Sequence, residues 1–521
     1  MRMYMMCVYI SIPFQSDTSS SDNRLYLQII RCFYFSYNMA IHANVSKIVP
    51  RLDSALKVQI AEKADSILRN MEERYERITR DTSRPSTITY TTTLKGWTNA
   101  GQAAKAENIL NKMISLSENS NPNVTPNRIS FNTVLDGWAR TKGRDSSQRA
   151  VDLLEQMEQF SENEVYSDVY PDTITYSSVI TALARSDRRD AGQRAEDLLR
   201  RSLHLFHEGK KDLKPDSVTF NTVLDALSKQ VRRNVQHQSS AHNSSRGDVD
   251  TLRKAEAVFE EMKQFDQDGD SSVRPCTISY NIMLGMYAVL MNKEKAESLY
   301  NDLCGMYEDG DTRMKPDIIT YNNYLFALAN SMSRADTDKA ISLLKKMENI
   351  KNSSSSTSIF VQPDANSYLA IIRALAKQSK NHSDAAKKCD SILKRMEDRI
   401  RSGETEVRPC VVCYNCCIDA YAKSESNDGE QSALNLISRM QSLSVQLDAP
   451  DLRPNIISYT SALNAIANSK DRSAPDRAKA LLNQMAAEGV KPNSYTYNNL
   501  VSQTSQCIKV LLVNSCYSTH T

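Results

Sequence analysis

The chain has 521 residues, 40% of them hydrophobic and 24% charged, with 65 Lys and Arg against 62 Asp and Glu. This balance excludes a membrane-embedded or disordered bulk, and a net charge of +3 does not by itself demand a nucleic acid. Only 14 Gly and 15 Pro are present, which disfavours a many-stranded sheet with tight turns and predicts a mostly helical chain.

The N-terminal segment, 1–50, holds Arg2, Arg24, Arg31 and a Ser/Thr-rich patch at 16–21, together with Asp17 and Asp22. It reads either as an organellar targeting segment or as a mis-assigned chain start. No run reaches 18 apolar residues, so no membrane span is expected. A first amphipathic helix, KADSILRNM, ends at Met71 with no clear partner phrase before it.

From there the chain repeats itself. Ten prolines open one short phrase of Pro, a small polar residue, any residue, usually Ile or Val, Thr or Ser, and an aromatic. They are Pro85, Pro126, Pro171, Pro215, Pro275, Pro316, Pro363, Pro409, Pro454 and Pro492, and the sixth residue is Tyr or Phe in all ten. A second phrase follows each of the early copies, as in KAENILNKM ending at Met113 and RAVDLLEQM ending at Met157. Apolar positions in both phrases fall at helical spacing, so each unit is expected to be two amphipathic helices. Pro sits where a missing N–H costs nothing, and the Asp, Asn or Ser after it suits an N-cap.

One such pair cannot bury its apolar face alone, and stacking supplies the missing surface. The expected fold is therefore all-α, an α-α superhelix, a solenoid of about ten helical hairpins over 51–498. Trp97, Trp138, Tyr287 and Tyr421 share one register position and are expected to be stacked core residues. Extra length is assigned to connectors, with polar insertions near 230–250, read as a mobile loop, and near 349–360. A short tail, 499–521, interrupts a helix expected to continue and reads as a possible truncation.

Ten Pro-Asp-x-Ile-Thr-Tyr-Asn phrases paired with Ala-x-x-Leu-x-x-x-Met helices resemble the pentatricopeptide repeat (PPR) family, in its plain P-type form. The resemblance covers about residues 60 to 500, and MAAEGVKPNSYTYNNL carries the family's short connector. The departure is six or seven extra residues in most connectors. The resemblance implies single-stranded RNA binding at one base per unit. The first reader follows the phrase aromatic, and the second follows the next Pro. Carried onto this chain, Thr91 with Asn127 resembles an adenine pair and Asn132 with Asp172 a uracil pair. Ser177 with Asp216 resembles a guanine pair, while Asn221 with Cys276 is off-code. Asn281 with Asp317 and Asn322 with Asp364 resemble uracil pairs. Leu369 with Cys410 is off-code, Asn415 with Asn455 suggests a pyrimidine and Thr460 with Asn493 adenine. In the family's orientation the expected target is 5′-AUGNUUNYA-3′. The same Asn and Asp residues are also suited to capping helices.

Ile88, Ile129, Ile174, Val218, Ile278, Ile319, Val412 and Ile457 are the matching platforms between bases, with Asn366 in the seventh unit. Eight residues after each first reader stand Asn99, Arg140, Arg185, Lys229, Val289, Asn330, Lys377, Lys423 and Asn468. Arg140, Arg185, Lys229, Lys377 and Lys423 make a candidate phosphate track.

Cys410, Cys413, Cys416 and Cys417 form the one metal-like cluster, yet the repeat register makes them small-residue substitutions, so no metal or cofactor is expected. The odd count of 11 Cys fits a reducing compartment. No catalytic motif is found, so the expectation is an RNA-binding protein and not an enzyme, with protein partners supplying any catalysis and no small-molecule substrate. Its expected place is a mitochondrion or plastid, with cytoplasm and nucleus left open. The alternatives are a truncated enzyme of the protein-only ribonuclease P type and a protein-binding scaffold resembling tetratricopeptide repeats.

Overall fold

The computed structural model describes residues 37–49, 52–77, 84–118, 122–163, 166, 168–237, 246–349, 361–382, 384–424, 428–469, 473–494 and 496–497. Among these residues the fold is all-α, with α-helices joined by short turns and 3-10 segments and no strand. The chain forms two compact units, divided between Gln230 and Val231.

In the first unit a helical segment at 37–45 precedes α1 (Ser54–Arg77). Three hairpins follow: α2 (Thr87–Asn99) with α3 (Ala103–Glu118), α4 (Arg128–Arg140) with α5 (Arg144–Phe160), and α6 (Thr173–Arg185) with α7 (Ala191–His207). The unit ends within α8 (Ser217–His237). Five more hairpins belong to the second unit, which opens with the end of α8 and with α9 (Arg246–Gln267). They pair α10 (Thr277–Val289) with α11 (Lys293–Glu308), α12 (Ile318–Asn330) with α13 (Arg334–Glu348), and α14 (Ala365–Gln378) with α15 (Ala385–Arg401). The last two are α16 (Val411–Lys423) with α17 (Gly429–Gln446) and α18 (Ile456–Ala467) with α19 (Ala474–Ala487). Within each unit the first helix of one hairpin packs on the first helix of the next and on the flanking second helices. This is the layering of a solenoid.

The phrase aromatics explain themselves in this packing. Tyr90, Phe131, Tyr176, Phe220, Tyr321, Tyr368, Tyr414 and Tyr459 are among the largest fully buried side chains. A buried phenol needs a partner. Tyr176 donates to Glu158 Oε1 at 2.8 Å, Tyr414 to Glu397 Oε1 at 2.6 Å and Tyr459 to Glu488 Oε2 at 2.6 Å. Met71, Met113, Met157, Met262, Met347, Met396, Met440 and Met485 close the second phrase and are fully buried. Trp97, Tyr287 and Tyr421 are buried as expected, and half-buried Trp138 donates its indole N–H to Glu107 Oε2 at 2.9 Å.

The connectors are built elements, and their extra residues form 3-10 turns such as Lys211–Leu213, Thr312–Met314 and Thr405–Val407. Each turn drives one apolar side chain into the core two residues before the phrase Pro. Val124, Leu213, Val273, Met314, Val407 and Leu452 are all buried. The second helices reach these turns through a left-handed residue. Gly209 has φ +104° and Gly310 φ +102°, and the next N–H returns to the helix, as Lys210 N to Leu205 O at 3.1 Å.

Two boundaries differ from the sequence expectation. The helical segment at 37–45 is part of the stack, since Ile41, Val45 and Ile48 are buried and Asn38 accepts a hydrogen bond from Thr89. The insertion expected as a mobile loop near 230–250 is helical at both ends, since α8 runs on to His237 and α9 starts at Arg246, while its middle, 238–245, lies outside the described residues. Val231 is buried, and Asn234 Nδ2 donates to Asp248 Oδ1 at 2.9 Å, so helical periodicity continues past the expected end. The expected insertion at 350–360, the segment 1–36 and the tail from 498 lie outside the described residues.

Candidate nucleic-acid interface

The N-terminal turn of each first helix presents an exposed apolar residue. Ile88, Ile129, Ile174, Val218, Ile278, Ile319, Val412 and Ile457 are 40–71% exposed, although each sits beside a buried Thr, Ser or Cys and a buried aromatic. Large apolar side chains recurring on the surface at one register position mark a binding surface more than scattered exposure does. In the seventh unit exposed Asn366 takes this position.

Three residues further on stand the first readers, and the structure brings them against the second readers. Asn132 Nδ2 donates to Asp172 Oδ1 at 3.2 Å, and the Thr175 hydroxyl donates to Asn132 Oδ1 at 2.7 Å. Asn281 repeats this with Asp317 at 2.9 Å and Thr320 at 2.7 Å. Asn322 repeats it with Asp364 at 3.1 Å and Ser367 at 2.6 Å, and Asn415 with Asn455 at 3.4 Å and Ser458 at 2.6 Å. Because the hydroxyl is also within reach of the Asp oxygen, each trio is a closed ring of hydrogen bonds. The ring fixes which way the carboxamide faces, and leaves each Asn one further N–H and one further lone pair.

The remaining first readers vary. The Thr91 hydroxyl lies 2.9 Å from Ser130 Oγ, and that of Thr460 3.1 Å from Thr496 Oγ1. Ser177 turns back to Ile174 O at 3.0 Å. Half-buried Leu369 packs against the core and presents no polar edge.

Every second reader that is Asn or Asp is also an N-cap. Asn127, Asp172, Asp216, Asp317, Asp364, Asn455 and Asn493 accept from the backbone N–H three residues on, at 2.8–3.1 Å. Capping and pairing are thus one arrangement: the oxygen that caps the next helix also holds the Asn carboxamide where the reader is Asn.

The five basic residues of the expected phosphate track are in place and partly exposed, but each has work within the fold. Arg185 Nη1 donates to Ala139 O at 3.1 Å and Lys229 Nζ to Ala184 O at 3.2 Å. Asn330 and Asn468 reach Ala288 O and Ala422 O in the same way, at 3.1 and 2.8 Å. Each thereby caps the C-terminus of the preceding first helix, where a cation or N–H donor is favoured. Lys377 Nζ meets Asn330 Oδ1 at 3.4 Å. Three cations also carry a carboxylate one turn earlier: Arg140 pairs with Asp136 at 2.6 Å, Lys229 with Asp225 at 2.6 Å and Lys423 with Asp419 at 2.5 Å. The acid four residues before the cation was the available signal for this. Arg185 and Lys377 have Thr181 and Arg373 at that place instead.

Cys410 and Cys413 take the N-cap and N3 places of α16, with sulfurs 3.5 Å apart. The hydrogen bond from the Cys413 thiol, aided by backbone N–H groups and Arg373, pulls Cys410 down to about 6 and pushes the buried Cys413 up. Cys417 faces Cys389 at 2.9 Å in the core. Among the described residues no three His, Cys, Asp or Glu are placed to hold a metal ion.

A pentatricopeptide repeat domain model matches residues 66–140 and 442–505, and a PPR repeat model matches 278–306. The crystal structure of the pentatricopeptide repeat protein PPR10 from maize is 20% identical, with TM-score 0.41, covering 86% of this chain and 60% of its own. A structure of PPR10 in complex with an 18-nt psaJ RNA element is 17% identical, with TM-score 0.23, covering 93% and 91%. The chain thus spans 60% of the maize structure's length. No curated protein matches the chain in sequence. The chain thus carries pentatricopeptide repeats at 66–140, 278–306 and 442–505.

Proposed function

We propose that the chain binds one single-stranded RNA sequence, 5′-AUGNUUNYA-3′, at one base per hairpin, and acts in organellar RNA processing, stability or translation by occupying that segment. The carrying observation is that, within each unit, an exposed platform stands beside a polar first reader: Ile88, Ile129, Ile174 and Val218 in the first, and Ile278, Ile319, Val412 and Ile457 in the second. Bases lying between platforms would cover apolar surface now in water and meet a reader on their edge. The Asn–Asp rings of Asn132, Asn281 and Asn322 present an N–H and a lone pair side by side, which suits the O4 and N3–H of uracil. Arg185 and Lys377, the two track cations without a carboxylate at i−4, are the strongest candidates for phosphate contact. Arg2, Arg24 and Arg31 with the Ser/Thr-rich patch at 16–21 support delivery to a mitochondrion or plastid.

A reader exchange tests this. Replacing Asn322→Thr with Asp364→Asn recreates the Thr91–Asn127 pair and keeps an N-cap. The sixth base of the target should change from uracil to adenine, with discrimination of about tenfold in binding titrations. Unchanged uracil preference would show that these side chains do not read that base.

A further inference from the structure

Cys410 and Cys413 stand where α16 begins, and the RNA reading gives them no role. Cys410 is the N-cap, where most other first helices carry Asp or Asn, and Cys413 is N3, where Thr175, Thr320, Ser367 and Ser458 stand. The two sulfurs lie 3.5 Å apart. Cys410 is exposed and Cys413 fully buried, so a reagent in solution meets Cys410 first. Residues three apart face one another in the first turn of a helix, which allows a sulfur–sulfur bond once the side chains turn. The Cys413 thiol and the backbone N–H groups of Cys413 and Val412 favour a thiolate on Cys410, with Arg373 adding positive charge, and together they hold that thiol well below its ordinary range. Cys276 offers the contrast. It is the N-cap of α10, but its N3 neighbour is Ser279, whose hydroxyl lies 3.8 Å from the sulfur, and no disulfide can form there.

We propose that Cys410 and Cys413 are a redox-active dithiol, which a low-molecular-weight disulfide oxidises to a Cys410–Cys413 disulfide and a small thiol reduces again. The Cys410 thiolate attacks one sulfur of the reagent, forming a mixed disulfide and expelling one small thiolate. Cys413 then attacks the Cys410 sulfur, the second small thiolate leaves, and the Cys413 proton passes to solvent. The chain loses two electrons and two protons, and the reagent becomes two thiols. Access separates this pair from its neighbours. Cys389 and Cys417 also stand sulfur to sulfur, at 2.9 Å, but both are fully buried in the core. Cys416 is half-buried, and burial pushes its thiol up to about 11. Oxidation also removes negative charge from the N-cap place at which Asp172, Asp317 and Asp364 carry it, so α16 has a charged cap only while the pair is reduced.

The test treats the folded full chain with limiting glutathione disulfide, quenches with an alkylating agent and maps the peptides by mass spectrometry. The expected product links Cys410 to Cys413, is lighter by two hydrogens, forms before any link between Cys389 and Cys417, and reverts with dithiothreitol. Cys413→Ser should instead trap Cys410 as its glutathione adduct, at a yield at least about tenfold above wild type. Cys410→Ser should leave Cys413 unmodified. Both substitutions install a residue that other units carry at those places, Ser86 at the N-cap and Ser367 at N3, and unchanged helical circular dichroism checks that they fold. The wild-type map needs no substitution, so it decides the proposal should either variant unfold. A wild-type chain that keeps both thiols free, holds a stable glutathione adduct on Cys410, links Cys410 to any other cysteine, or joins Cys389 to Cys417 first would overturn the proposal.

Discussion

At the scale of single residues, helix capping and the placement of the proposed readers share atoms. The Asp172, Asp317 and Asp364 carboxylates cap a helix and orient a neighbouring Asn with the same oxygen. The register positions of the proposed readers were legible in sequence because the phrase alone fixes them. The pairing of three track cations lies outside that register, in acids four residues before them. Asp136, Asp225 and Asp419 each hold a cation of the proposed phosphate track. Replacing all three by Asn should raise RNA affinity roughly threefold and steepen its salt dependence, since exposed pairs contribute only about 0.2–1 kcal/mol each. Unchanged affinity in titrations at two salt concentrations would confine these cations to capping.

Among the elements, helices were legible and connectors were not. Apolar spacing and the capping phrase locate the helices, because these signals are local. The connectors looked like tolerated extra length, yet six of them bury a residue two before Pro, a pattern visible as hydrophobic-x-Pro at Val124, Leu213, Val273, Met314, Val407 and Leu452. Leu213→Ala should cost about 2–4 kcal/mol in denaturant unfolding, because the turn is also tied down by Ser202 Oγ donating to Leu213 O at 2.7 Å. A loss near zero would mean that the turn merely spans a gap. Three turns carry strain: Met291, Met332 and Asp448 have φ of 57°, 59° and 47°, where Gly101 and Gly209 stand in other hairpins. The left-handed region costs an ordinary residue about 1–2 kcal/mol, and Gly gives back part of this through its freedom when unfolded. Met291→Gly, Met332→Gly and Asp448→Gly should each stabilise by about 0.5–1 kcal/mol and raise the melting temperature. A lower melting temperature would show that the side chain contributes more than the strain removes.

Across the whole molecule, repetition makes small features collective. Burial, reinforced by neighbouring carboxylates, pushes the phenols of Tyr176, Tyr414 and Tyr459 upward, and burial does the same to Tyr321. A folded-state value above the unfolded one means stability that is complete below the unfolded value of about 10 and falls as pH rises past it. Tyrosinate absorbance should therefore appear together with loss of helical circular dichroism above about pH 10. Ionisation of these phenols with the helices intact would contradict this coupling.

The fold class followed from ten phrases in register, and so did the reading of a base code. What sequence could not reveal was the stacking of 37–49 onto α2, because no Pro opens that layer. The central claim is that the rows of platforms and readers select one RNA. Its most direct measurement is a titration of the full chain with 5′-AUGNUUNYA-3′ and with a scrambled sequence of the same composition, at several salt concentrations. Tighter binding of the target at every salt concentration, with a salt slope common to both RNAs, is the predicted result. Equal affinity for the two RNAs would contradict it.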